Sequence, residues 1–338
     1  MVLQTIWFFL WGLLWAVFFM TDGFDFGIGT MYPFAAKDDR EKRLMLNAMG
    51  PLWDGNEVWL IAAGGVTFAA FPLVYATMFS TLYTALMLIL FALILRGVAI
   101  EFRSKMPDSG WRQVWDVCIF AGSFGPAFLF GVAFANIYRG IPIGENGAYY
   151  GNFFMLVNTY GVIGGLHFLL LFLVHGALWM AMRTEGPFQN KMVSIAGISW
   201  IFSLIVTVIF VILTRTETGI FNNYIGHPML LLLPLIVLAA FIAIKVYLSR
   251  EDYLKAWLAS ALTIVGGTFS GLIGLFPNLF PSSVDPSFSL TAYNASSSPL
   301  TLKIMLIVVI LFVPIIIGYQ TWAYRMFMGK LEEEDIHY

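Results

Sequence analysis

Long apolar runs, broken by short polar and mostly basic stretches, recur nine times along the chain. They fall at about 5–33, 52–71, 76–102, 114–137, 152–182, 193–214, 228–248, 254–275 and 300–328. Each is roughly 20 residues or longer, the length a helix needs to cross a hydrocarbon core of about 30 Å. The pattern predicts an all-α polytopic membrane protein with nine transmembrane helices in a single membrane domain over residues 1–338. The first run is over-long and contains Asp22, Gly23, Asp25, Gly27 and Gly29, so it is expected to tilt or to break near Pro33. The Phe71-Pro72-Leu73 turn separates the second run from the third, with proline as the punctuating residue. Met1 onwards lacks a basic segment and a small-residue cleavage site, and so reads as a retained helix rather than a signal peptide.

Charge orients the runs. Loops after the odd-numbered helices carry Lys37, Arg40, Lys42 and Arg43, then Arg103, Lys105 and Arg112, then Arg183 and Lys191, then Lys245, Arg250 and Lys255, and finally Arg325 and Lys330. The other side holds only Arg139, Arg215 and Lys303, and Arg96 stays within the third helix. Cytoplasmic loops are enriched in Lys and Arg, so the N-terminus is expected outside and the C-terminus in the cytoplasm. Composition agrees with the class: 59% of residues are hydrophobic and 11% charged, against about 25% charged in soluble domains. A net charge of −2 gives no sign of a nucleic-acid partner. The single cysteine, Cys118, excludes an intrachain disulfide and reads as a small core residue.

Three acidic or basic groupings interrupt the apolar background. Trp53-Asp54-Gly55-Asn56-Glu57-Val58-Trp59 opens the second run, Asp22-Gly23-Phe24-Asp25 lies within the first, and Arg96 and Glu101 lie in the third. Residues three or four apart share a helix face, which aligns Asp54 with Glu57 and Glu57 with Trp53. A carboxylate within a bilayer costs a few kcal/mol or more and is seldom left without a role or partner. The three groupings are therefore expected to form one buried polar site on neighbouring helices, with Arg96 and Asn56 as partners of the carboxylates. Asp25 lies twelve residues before Lys37, about 18 Å along a helix, and the whole set lies toward the cytoplasmic half. Asp22, Asp25, Asp54, Glu57 and Glu101 outnumber Arg96 five to one, so some of them hold protons and the set is suited to passing protons inward. The alternative for Arg96 is an ion pair that only sets helix packing. Asp116, flanked by Trp111 and Trp115, reads as an interfacial anchor.

His167 and His175 sit eight residues apart on one predicted helix. That is about 12 Å, too far for one iron, so helix-packing hydrogen bonds are expected and no haem is assigned to this chain. His227 stands at an outer helix start and His337 in the tail. The 16 methionines are packing material. A loop over 277–298, rich in Pro and Ser and carrying Phe280, Phe288 and Tyr293, is either a plain connection or a packing surface. The tail Glu332-Glu333-Glu334-Asp335 reads as a solvated acidic end.

Thr21-Asp22-Gly23-Phe24-Asp25-Phe26-Gly27 and Gly50-Pro51-Leu52-Trp53-Asp54-Gly55-Asn56-Glu57-Val58-Trp59-Leu60 resemble subunit II of the cytochrome bd family of quinol oxidases. Supporting matches follow in order: Phe102-Arg103-Ser104-Lys105, Gly122-Ser123-Phe124, Gly131-Val132-Ala133-Phe134, Gly151-Asn152-Phe153-Phe154, Phe276-Pro277, Pro281-Ser282-Ser283 and Ser296-Ser297-Ser298-Pro299-Leu300-Thr301-Leu302. They cover almost the whole chain. Two departures stand out: some relatives carry glutamine where Glu57 stands, and the stretch around Thr216–Pro228 is shorter than in some relatives.

The resemblance implies two four-helix bundles plus a peripheral helix. It implies a complex in a bacterial or archaeal cell membrane that oxidises quinol and reduces dioxygen to water with protons from the cytoplasm. It places two b haems and one d haem in subunit I and none on this chain. This chain would pack against subunit I as a pseudosymmetric heterodimer, with lipids, quinone and small single-helix subunits as further partners. Asp54 would lead the proton route, followed by Asp25 and Glu101, then Asp22 and Glu57, and Trp53 would line a structural quinone site. Two other classes stay open: a proton-coupled transporter, which an inverted repeat would favour, and a scaffold whose carboxylates are structural.

Overall fold

The computed structural model describes residues 1–331; the acidic tail and His337 lie outside them. The helices in chain order are α1 Val2–Ala35, α2 Asp39–Met49, α3 Trp53–Ala70, α4 Pro72–Thr81, α5 Tyr83–Phe102, α6 Ser109–Arg139 and α7 Phe153–Leu156. They continue with α8 Thr159–Arg183, α9 Gly186–Glu217, α10 Phe221–Gly226, α11 Leu232–Ser249, α12 Tyr253–Leu275 and α13 Pro299–Phe327. The protein is an all-α polytopic membrane protein. Among the described residues, eight helical segments are long and apolar enough to cross a membrane. The expected ninth, α3, is only 18 residues long and opens with Asp54, Asn56 and Glu57, which lowers its hydropathy.

α1 is the central element. Its 34 residues span about 51 Å, and every residue from Thr21 to Tyr32 is buried, so other helices cover it on all sides there. It runs unbroken through Pro33, which lies in the last turn and leaves the Gly29 carbonyl without its helix donor close to the helix end. Glycines set the distance to α8. A Cβ on Gly27 would strike the Phe172 carbonyl, and one on Gly176 would meet the backbone of Phe24 and Ile28. Small residues allow this backbone-to-backbone approach, which drives helix association in lipid. Helix contacts fall into one group of α1, α3, α5 and α6 and a second of α8, α9, α11 and α12, joined where α8 packs on both α6 and α1 and where α12 packs on α1.

The third predicted run is two helices, not one. It breaks at Leu82 between α4 and α5. Just before the break, the Ser80 hydroxyl donates to the Ala76 carbonyl and the Thr81 hydroxyl to the Thr77 carbonyl, a competition for helix acceptors that bends and weakens the turn. The fifth run likewise separates into α7 and α8, because Asn152 caps the first and Asn158 caps the second. The basic stretch after the first run is not a plain loop but holds α2; Asp38 caps it by accepting from the Glu41 amide at 2.8 Å, and its Leu44–Met49 end is buried.

The long loop before α13 folds back on the chain. Its Asn278–Phe280 and Leu290–Thr291 strands pair antiparallel, which we label β1 and β2. Leu279, Phe280, Leu290, Ala292 and Ala295 are buried. The Ser297 amide donates to the Ala70 carbonyl at 2.8 Å, and Gln4 Nε2 donates to Ser296 Oγ at 2.8 Å, so the loop covers one end of α1 and α3. α13 is peripheral, with Leu302 its one buried residue. Polar clamps hold it: Trp7 Nε1 donates to the Leu302 carbonyl at 2.9 Å, and Gln320 Nε2 donates to the Gly55 carbonyl at 2.8 Å.

Candidate functional site

Asp22 and Asp25 face outward from the middle of α1 into a space shared with α3, α5 and α13. Arg96 Nη2 reaches Asp22 at 2.7 and 2.9 Å and Glu57 Oε1 at 2.5 Å. Its guanidinium carbon lies 4.4 Å from the centre of the Phe26 ring, a cation–π contact that supplements the ion pairs. Asn56 Nδ2 donates to Asp25 Oδ2 at 2.7 Å, and the Tyr324 hydroxyl donates to Asn56 Oδ1 at 2.7 Å. Asp22, Asp25, Asn56 and Arg96 are fully buried, while the Glu57 side chain keeps 20% exposure. Asp25 Oδ1 has no protein partner.

Three carboxyl groups thus share one guanidinium in a region of low dielectric. Taking several charges from water costs several kcal/mol per ion, and only close, well-bonded opposite charges recover it. With one cation for three acids, the arrangement favours a resident proton. Asp25, hydrogen-bonded to an amide and not paired with the cation, and with one oxygen bare, is the group best placed to exchange it.

The expected site is only partly assembled. Asp22, Asp25, Asn56, Glu57 and Arg96 meet; Asp54 and Glu101 do not. The buried stripe of α3 runs Asn56, Trp59, Ala63, Thr67 and Ala70. At 100° per residue Asp54 lies on the far side from Asn56, and it is exposed. Glu57 sits on the flank, which is why it reaches Arg96 yet stays partly open. Glu101 follows Arg96 by five residues, about 140° round α5, and is exposed while Ala99 and Ile100 are buried. Trp53 is half-buried against Gly97.

Tyr324 was not foreseen, since α13 lies 268 residues from Asn56 in sequence and its sequence is apolar almost throughout. Tyr324→Phe removes one buried hydrogen bond, worth about 1 kcal/mol. It should lower the thermal midpoint of the purified protein by about 2 °C in a scanning fluorimetry trace; an unchanged midpoint would show the clamp to be idle.

A second charged group surrounds Asp116, which is more than a single anchor. Arg103 Nε donates to Asp116 at 2.5 Å and Nη2 to Asp39 at 2.8 Å; Lys42 reaches Asp116 at 2.7 Å and Arg112 reaches Asp39 at 3.0 Å. Asp116 is buried between these cations, so it ties α2 and α6 to the end of α5. The available signal was Arg103, seven residues after Arg96.

Both membrane histidines pack between helices. His175 uses both ring nitrogens, Nδ1 with Ser260 Oγ at 3.0 Å and Nε2 with the Met20 carbonyl at 2.9 Å. His167 Nδ1 meets Thr207 Oγ1 at 3.1 Å, and its ring stacks on Phe210. These are helix-packing contacts, and they occupy both ring nitrogens of His175. Among the described residues no set of three His, Cys, Asp or Glu side chains is placed to hold a metal.

The family described as cytochrome bd terminal oxidase subunit II matches residues 3–327. The cytochrome bd-I ubiquinol oxidase subunit 2 of Escherichia coli K12 is 35% identical over 368 residues, covering 99% of this chain and 97% of that protein. The probable cytochrome oxidase subunit 2 of Haemophilus influenzae is 36% identical, covering 98% and 95%. The cytochrome bd ubiquinol oxidase subunit 2 of Bacillus subtilis is 34% identical, covering 98% of each. A chain of the bd oxidase structure from Geobacillus thermodenitrificans shares the fold, with a TM-score of 0.80 at 14% identity over 97% of this chain and 99% of that one.

Proposed function

This chain belongs to the cytochrome bd terminal oxidase subunit II family, and from that membership we propose that its buried acidic cluster helps supply protons for oxygen reduction. The chain is a multi-pass membrane subunit of a bd-type quinol oxidase, an oxidoreductase complex. The observation that carries the proton reading is Asp25, fully buried, held by Asn56 and left with one bare oxygen beside Asp22, Glu57 and Arg96.

In this reading the chain crosses the membrane nine times, with α3 and α4 supplying the crossing that composition alone leaves short. The Lys- and Arg-rich ends face the cytoplasm. Subunit I is the partner and carries the two b haems and the d haem; bound there, they supply electron transfer and oxygen reduction. The residues of this chain hold and move protons. Asp54 and Glu101, both exposed, lie where a partner or the aqueous edge reaches them, while Asp22, Asp25 and Glu57 form the inner store around Arg96. Trp53, packed on Gly97, lines a structural quinone site, and small single-helix subunits and lipids cover part of the remaining apolar surface.

Asp54→Asn in the assembled complex separates this reading from a scaffold role. Quinol oxidase turnover should fall on the order of tenfold or more, as expected when a proton carrier is removed, with the haem spectrum intact. Unchanged turnover with all haems present would remove Asp54 from any required route, and loss of the haems would assign it to assembly.

A further inference from the structure

Two charged layers lie one above the other on the same three helices. α1 supplies Asp25 and Tyr32, α5 and the turn after it supply Arg96 and Arg103, and α6 supplies Ser123 and Asp116. Each pair is seven residues apart, which is two helical turns or about 10.5 Å, and returns to nearly the same face. α6 runs against α5, so the layers match. Asp116 meets Arg103, and Gly122, next to Ser123, abuts Arg96. Ser123 Oγ fills the place a Cβ would take on Gly29, and Gly29 lies between Asp25 and Tyr32 along α1. The Tyr32 ring centre lies 5.9 Å from the Arg103 guanidinium.

Along this line, buried polar atoms lack a hydrogen-bonding protein partner, Asp25 Oδ1, Arg96 Nε and Nη1 and Ser123 Oγ, and Tyr32 Oη faces Asp116 at the far end. Buried polar groups are normally hydrogen-bonded, and where protein does not serve, ordered water does. We propose that internal water joins these atoms into a hydrogen-bonded file, a proton route inside this chain from the Lys42–Asp116–Arg103 end through Tyr32 and Ser123 to Asp25. The inference rests on the proton-supply reading above and names the path that fills its inner store, in series with Asp54 and not as a bypass of it.

The spacing suits the task. About 10.5 Å is three to four hydrogen bonds of roughly 2.8 Å, and Ser123 Oγ stands against Gly29 beside that line. A proton arriving on water beside Tyr32 passes from oxygen to oxygen. Each hydroxyl accepts one proton and releases another, so neither changes its net protonation, and the proton comes to rest on Asp25 Oδ1. Neither hydroxyl touches a reacting substrate; both are relay groups.

The test is Tyr32→Phe and Ser123→Ala, each in the full complex, measured for oxidase turnover, solvent deuterium isotope effect, haem spectrum and subunit ratio. Turnover should fall at least fivefold and the isotope effect should rise, with haems and subunits unchanged. Wild-type turnover and isotope effect in both variants, alongside a slow Asp25→Asn, would overturn the file while leaving the proton-supply reading intact. Wild-type turnover in Asp25→Asn and Asp54→Asn as well would overturn that reading and the file with it. Radiolytic hydroxyl labelling of the unmodified complex gives an answer independent of assembly. Tyr32, beside water, should be labelled well above Tyr160, which is equally buried but bonded to Thr214; labelling no higher than Tyr160 overturns the file.

Discussion

Arg96→Met should abolish accumulation of the folded protein in the membrane. Arg96 is fully buried and is the cation of the inner cluster, paired with Asp22 and Glu57. Removing one partner of a buried pair costs about 3–5 kcal/mol, because the remaining charge is stranded, and here two acids are stranded with Asp25 close by. A typical domain has only about 5–15 kcal/mol in hand. The measurement is the amount of chain in isolated membranes, with size-exclusion of the detergent extract. Arg96→Met combined with Asp22→Leu and Glu57→Gln should recover part of the yield, since neutralising the acids removes the stranded charge. A single variant that accumulates and melts like the parent would show that the ion pairs contribute little and would shift Arg96 toward a purely functional role.

Gly27→Val should be equally damaging for a different reason. The added side chain would run into the Phe172 carbonyl, a backbone atom that cannot swing aside. α1 and α8 would have to separate along the seam that joins the two helix groups. Overpacking in a tight core costs about 1–3 kcal/mol, and a clash with backbone belongs in the tail above about 4 kcal/mol. Gly267→Ala is the control: nothing lies within 4 Å of a Cβ there, and alanine favours the helix by about 1 kcal/mol. Thermal midpoints of the two variants should move in opposite directions. Equal stability of Gly27→Val and the parent would mean that α1 and α8 are not held by this contact.

Much of the site was legible in the sequence because charged residues inside apolar runs stand out. Asp22, Asp25, Asn56, Glu57 and Arg96 were all expected together, and they meet. Asp54 and Glu101 were grouped with them from spacing alone, and spacing sets only relative angle. A residue three positions from Glu57 lies about 60° away, enough to put Asp54 on the outer face once Asn56 takes the centre. In a soluble helix, polar residues would have marked that outer face, but a membrane helix is apolar on most sides, so its rotation leaves little trace. Tyr324 and the Arg103–Asp116 network were invisible for a related reason: each depends on which distant helix docks where. The breaks at Leu82 and before α8 had local signals in Ser80, Thr81 and Asn158, but the continuous hydropathy on either side concealed them.

The sequence by itself determined that this chain lives in a membrane, roughly where its helices start and stop, and which few ionisable groups have to find partners there. Those properties follow from local composition, because transfer of a residue to hydrocarbon is a cost each position bears alone. Only the tertiary structure decided that Arg96 answers Asp22 and Glu57, that Asp25 keeps one oxygen free, and that Asp54 faces away. Those outcomes rest on the rotation and separation of α1, α3, α5 and α6, which contacts such as Gly29 with Ser123 and Gly122 with Arg96 set. Packing of that kind belongs to pairs of helices, and no single stretch of sequence contains it.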